Sequence, residues 1–185
     1  MVNVLDKVQP KNKTQLKSLI DYAFKHKQYD LNFIDTSKIT DMSELFVNVE
    51  HDFVVSSWDV SNVIDISFMF YGCHNFNCDL SKWDVSNVTN MSYMFSNCYK
   101  LEGKGLEHWD VSNVTDMAGM FVGCENFNCD LSYWDVSNVT DMDNMFVNCK
   151  KFNCDLSDWD ISNITLWKNM FDGCNKMTIP NWYKK

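Results

Sequence analysis

The string WDVSNV occurs at Trp58, Trp83, Trp109 and Trp134 and returns as WDISNI at Trp159, at intervals of 25, 26, 25 and 25 residues. A degenerate copy, IDTSKI at Ile34, stands 24 residues before Trp58, so one register runs from about residue 34 to residue 179. Repetition at this interval means repeated structure, because a unit this small cannot bury its own apolar face and must close a core with its neighbours. The single extra residue falls near Glu102 to Gly105, where EGKGLEHW replaces the usual FNCDLSxW, and it predicts a small loop that leaves the register intact.

Within one unit, Trp83 and Val85 alternate with polar residues, the pattern of a short strand. Met91, Met94, Phe95 and Cys98 follow at i, i+3, i+4 and i+7, the pattern of one face of a short helix, with Thr89 and Asn90 as candidate N-caps. Thr115, Asp116, Thr140 and Asp141 stand in the same places in sister units. The expected fold is an α/β solenoid, a leucine-rich-repeat-like stack of short parallel strands and short helices. Ahead of it, Leu16, Leu19, Ile20, Ala23 and Phe24 keep helical spacing after Pro10 and Asn12. This divides the chain into an N-terminal capping helix region (1–33), a solenoid of six units (34–179) and a C-terminal tail (180–185). Met177, Ile179 and Trp182 are expected to cover the last coil, with Lys184 and Lys185 in solvent.

Composition narrows the function classes. Of 185 residues, 25 are acidic and 16 basic, a formal charge of -9, and every basic residue is Lys. A nucleic-acid partner is excluded on that ground, since phosphate recognition relies on a basic patch and Arg forks. The apolar runs are far too short for membrane insertion. The opening MVNVLDKVQPKNK lacks the basic and apolar regions of a secretory signal, which by itself points to the cytoplasm.

The consensus WDVSNVTDMSxMFxxCxxFNxDLSx resembles the repeat of about 26 residues of bacterial surface proteins and lipoproteins of Mycoplasma and Listeria type, relatives of the BspA-like leucine-rich repeats. The likeness covers Ile34 to Ile179, and the lead-in KNKTQLKSLI followed by LNFIDTSKITDMSELF is similar as well. It implies a leucine-rich-repeat-like solenoid used for adhesion or protein binding, largely at the cell surface, and carries no catalytic residues.

Stacking turns each position into a column. Asp59, Asp84, Asp110, Asp135 and Asp160 form one, readable as a cation row or as Asp side chains accepting hydrogen bonds within their own DVSN turns, from residues such as Ser61 and Ser86. Asn62, Asn87, Asn113, Asn138 and Asn163 read as a structural ladder. The Thr column, Thr40, Thr89, Thr115, Thr140 and Thr165, is broken by Ile64 and reads as capping rather than an ice-binding array. Cys73, Cys98, Cys124, Cys149 and Cys174 lie fifteen residues after each Trp, with Cys78, Cys129 and Cys154 five further on. Zinc held by Cys124, Cys129, Cys149 and Cys154, disulfides, or reduced thiols in the core are the three readings, and the core ladder is preferred. The four His share no column, and no phosphate loop or HExxH is present.

The expected function is a non-catalytic protein-binding or adhesion module presenting a repeat surface, with no catalytic, cofactor or metal residues. The alternative is a structural, self-assembling building block of a larger particle or envelope. The partner is expected to be a protein. Its candidate contact column is the residue before each Trp, namely Ser57, Lys82, His108, Tyr133 and Asp158, with Tyr133 and His108 as anchors.

Overall fold

The computed structural model describes residues 7–183, so Lys184 and Lys185, expected in solvent, lie outside the described residues. Helix α1 spans Lys13–Lys25. Asn12 caps it, its Oδ1 accepting the Gln15 N–H at 3.0 Å. Such a cap satisfies one of the orphan donors of a first turn. Leu16, Ile20 and Ala23 are buried on its inner face, and Lys27 ends it in the left-handed region at φ +59°.

The expected α/β solenoid does not form. Beyond α1 the described residues contain one 3₁₀ turn, Leu106–His108, and isolated parallel bridges, with no strand and no helix in any unit. There is therefore no leucine-rich-repeat stack. The spacing of Met91, Met94, Phe95 and Cys98 buries all four, as a helix face would, but the backbone between them is built of turns. Tyr93 and Asn97 adopt φ +54° and +61°, and each sister unit has a left-handed pair at the same places, such as Phe68 with Gly72 and Asn144 with Asn148. A left-handed residue in every second turn stops both a right-handed helix and an extended strand. Thr89 and Asn90 accordingly cap nothing.

Alternate peptide units in this segment close turns within their own unit. Met94, Ser96 and Cys98 donate N–H to the carbonyls of Met91, Tyr93 and Phe95 at 2.9–3.2 Å. The intervening N–H groups, of Met91, Tyr93, Phe95 and Asn97, donate to the carbonyls of Asp116, Ala118, Met120 and Val122 in the next unit at 2.6–3.0 Å. The same four-bond row joins residues 42–48 to 65–71 and residues 142–148 to 166–172. Each unit thus contributes one layer of turns, and every peptide unit of such a row points its N–H toward the C-terminal end and its carbonyl back.

Side chains complete the contacts between layers. The indole N–H groups of Trp58, Trp83, Trp109, Trp134 and Trp159 donate to Leu31, Val55, Leu80, Leu106 and Leu131 carbonyls at 2.9–3.3 Å. The thiols of Cys73, Cys98, Cys124, Cys149 and Cys174 meet the carbonyls of Phe46, Phe70, Phe95, Phe121 and Phe146. Through the middle runs a file of stacked rings, Phe46, Phe70, Phe95, Phe121, Phe146 and Phe171, with centroids 5.5–5.8 Å apart. Each fully buried ring contributes roughly 1.5–3 kcal/mol of transfer free energy, which is what holds a body so poor in regular structure together. The extra residue near Gly105 is taken up by the 3₁₀ turn, and Leu106 stays in the core.

Candidate functional site at the C-terminal edge

The two ends of the body differ. At the N-terminal end α1 packs on the first layer, with Phe24 6.3 Å from Phe46 and the Lys13 ammonium 2.9 Å from an Asp41 carboxylate oxygen. Among the described residues no helix lies on the last layer. There Trp167, Asn169, Phe171 and Gly173 occupy the places from which each inner layer donates four N–H groups, and among the described residues none of these four finds an acceptor. The carbonyls of Ser162 and Thr165 are in the same condition, although their counterparts Ser137 and Thr140 accept from Asn163 and from Thr165. Because the row's peptide dipoles are aligned, this edge carries partial positive charge, by the same addition that polarises a helix N-terminus.

The side chains at the edge change character too. The bridge column reads Asp41, Asp65, Asn90, Asp116 and Asp141, and then Leu166, which is 49% exposed. Within this column burial, followed by repulsion from Asp141 and Asp65, pushes the Asp116 carboxyl above its ordinary value. Leu166 and the half-buried Trp167 border an open cleft of about 500 Å³ shared with Asp143, Thr165, Lys168 and Tyr183. The tail closes only part of the layer. Trp182 donates its indole N–H to the Leu156 carbonyl at 2.9 Å, continuing the Trp ladder, and the Tyr183 ring meets Phe171 edge-on at 5.0 Å.

Sequence reasoning did not find this edge. Backbone donors leave no trace in residue type; the one readable signal was TLWKNMF in the last unit, where TDMDNMF stands in the unit before. The residues it did single out, Ser57, Lys82, His108, Tyr133 and Asp158, are all exposed, Tyr133 by 89%. No hydrogen bond, ion pair or ring contact joins any two of them. The repeat surface on which they were to stand is absent, because the units contain no strands to make a concave strand face. The expected repeat-presenting adhesion module is thereby corrected, and so is its alternative, the self-assembling block, which relied on the same solenoid.

The other columns are internal fittings. Asp59, Asp84, Asp110, Asp135 and Asp160 each accept the N–H of the Ser two residues on at 3.0–3.1 Å. Hydrogen bonds from the Ser86 hydroxyl and then the Ser86 amide hold the Asp84 carboxyl below its ordinary value. Asn62, Asn87, Asn113, Asn138 and Asn163 donate to Ser carbonyls of the preceding layer at 2.6–2.9 Å. Among the described residues no group of three or more His, Cys, Asp or Glu is arranged to hold a metal ion. Cys129 faces Glu107 and Cys154 faces Asp130, while Cys124 and Cys149 are turned to core carbonyls.

A family model described as Mycoplasma protein of unknown function, DUF285, matches residues 14–104 and again 97–184. The chain belongs to this family. The expected assignment to a BspA-like leucine-rich-repeat family of Mycoplasma and Listeria surface lipoproteins is corrected accordingly. For this DUF285 protein, no curated protein and no solved structure gave a match.

Proposed function

We propose that this DUF285 chain is a protein-interaction domain that receives a polypeptide partner at its C-terminal edge. The observation that supports this is one coincidence. In the layer where four N–H donors lack acceptors among the described residues, the acidic or amide residue of the bridge column is replaced by Leu166, with Trp167 beside it. Unmet backbone donors invite pairing with another chain, as unpaired sheet edges do, and an apolar border adds desolvation to the hydrogen bonds. A photoreactive amino acid placed at Lys168, which is exposed at this edge, tests the reading in protein extract from the native source. A discrete adduct at position 168, absent when the same group replaces Tyr133, is the expected result. Adducts at position 133 with none at 168 would refute edge binding.

A further inference from the structure

Resting on that edge-binding reading, we propose that the segment received is one carrying the same Ser-Asn-x-Thr-Asp/Asn-Met pattern as the chain's own units, supplied by another polypeptide and docking as one further layer. The groups at the edge that have no partner among the described residues define their complement. Four N–H groups, of Trp167, Asn169, Phe171 and Gly173, require four carbonyls in a row, and the Ser162 and Thr165 carbonyls require a donor each.

An extended strand does not meet that requirement, because each of its edges presents N–H and carbonyl groups alternately and would set donor against donor. A row of successive turns presents carbonyls only, as residues 141–147 already do within the unit beginning at Trp134. Its Asn138 amide donates to Ser112 at 2.7 Å and its Thr140 N–H to Thr115 at 2.9 Å. Its Asp141, Asp143, Met145 and Val147 carbonyls accept from Met117, Gly119, Phe121 and Gly123 at 2.7–2.9 Å. These six bonds correspond one for one to the six open groups of the last layer.

Tyr183 holds the place of the incoming layer. In every inner layer a Phe of the next unit stacks on the file of rings, whereas on Phe171 the Tyr183 ring stands edge-on at 80°. A docking layer that brings its own Phe displaces Tyr183, while Trp182 keeps its bond to Leu156. Tyr183 is thus a competitor that sets the affinity of the edge.

The probe is a labelled, reduced peptide with the sequence of residues 135–152, which omits Trp134 because Trp182 already fills that place, titrated into the full 185-residue chain by fluorescence anisotropy, with hydrogen exchange read at the edge amides. Saturable binding that protects the amides of residues 167–173 is expected. Replacing Asn138 with Ala and Thr140 with Pro in the peptide removes two of the six bonds and should weaken it by about tenfold or more. Tyr183→Ala in the chain should tighten binding several-fold without altering the fold. Absence of peptide binding, protection confined to other amides, or unchanged affinity in the Tyr183→Ala chain each overturns the inference. If the peptide fails while a native partner still crosslinks at position 168, the edge-binding reading stands and only the nature of the segment is wrong.

Discussion

The side chain of Asn97 fills the space that a Cβ on Gly123 would need: its Oδ1 lies 2.7 Å from where that atom would sit. Both residues are left-handed, at φ +61° and +71°. The relationship repeats with Asn48 over Gly72 and Asn148 over Gly173, so Asn and Gly alternate strictly along this column. Asn tolerates the left-handed region better than other side chains, and its amide is accommodated only where the next layer has no side chain to offer.

Gly123→Ala should therefore destabilise the protein by about 2–3 kcal/mol, the left-handed penalty plus the clash. Adding Asn97→Gly should return part of that loss by removing the clash while leaving the backbone penalty. Thermal melts of the two single variants and the double variant measure the coupling, and strict additivity would show that Asn97 and Gly123 do not interact.

Trp109 is 5% exposed and its indole N–H bonds to the Leu80 carbonyl at 3.3 Å. Trp109→Ala should cost about 3–5 kcal/mol through the cavity it leaves. Trp109→Phe keeps a ring and leaves the Leu80 carbonyl bonded to the Trp83 N–H at 3.0 Å, so losing the indole donor should cost only about 0.5–1.5 kcal/mol. Denaturant unfolding of both variants checks the order, and equal stability of the Ala variant and the native chain would place this column outside the core.

The thiols should be inert in the folded chain. Burial, followed by the neighbouring thiol, pushes Cys98, Cys124 and Cys149 well above the ordinary thiol range, and burial alone raises Cys73 to about 12. Since the thiolate is the reactive form, alkylation at pH 8 should reach the half-buried Cys78, Cys154 and Cys174 first and leave the three deepest thiols unmodified until unfolding. Peptide mapping over a time course reads this order, and early modification of Cys124 would contradict it.

Two carboxylates should give opposite pH signatures. Asp84 is depressed in the folded chain, so its stabilisation is present above the unfolded value near 3.8 and is lost as pH falls through the folded value. Asp116 is raised, so its ionisation weakens the fold as pH rises above 3.8, and the penalty is complete above the folded value. Asp116→Asn, which copies Asn90 one layer earlier, should raise the melting temperature at pH 7 and have no effect at pH 3. Asp84→Asn should lower it at pH 7. A destabilised Asp116→Asn chain at pH 7 would show that the charge is compensated.

The candidate site was hardly legible in advance, and particular residues show why. Leu166 and Trp167 break their columns in plain view, but an apolar residue at one position of one unit is ordinary variation until its neighbours' backbone bonds are known. Tyr133 draws the eye as an exposed aromatic in a variable column, yet no strand supports it.

Residue order alone establishes the 25-residue register, the capping of α1 by Asn12, and which side chains are apolar enough to meet in a file of rings. Those follow from spacing and from local chemistry, and Leu16, Phe95 and Trp109 are buried where that spacing puts them. Whether each unit becomes strand and helix or a run of turns was decided by contacts between layers. A left-handed Tyr93 or Asn97 is unfavourable in isolation and persists because its N–H finds a carbonyl in the next layer and its neighbours Met94 and Phe95 reach the core. The same dependence on a next layer is why the C-terminal edge, where that layer is missing among the described residues, could not be read from any single unit.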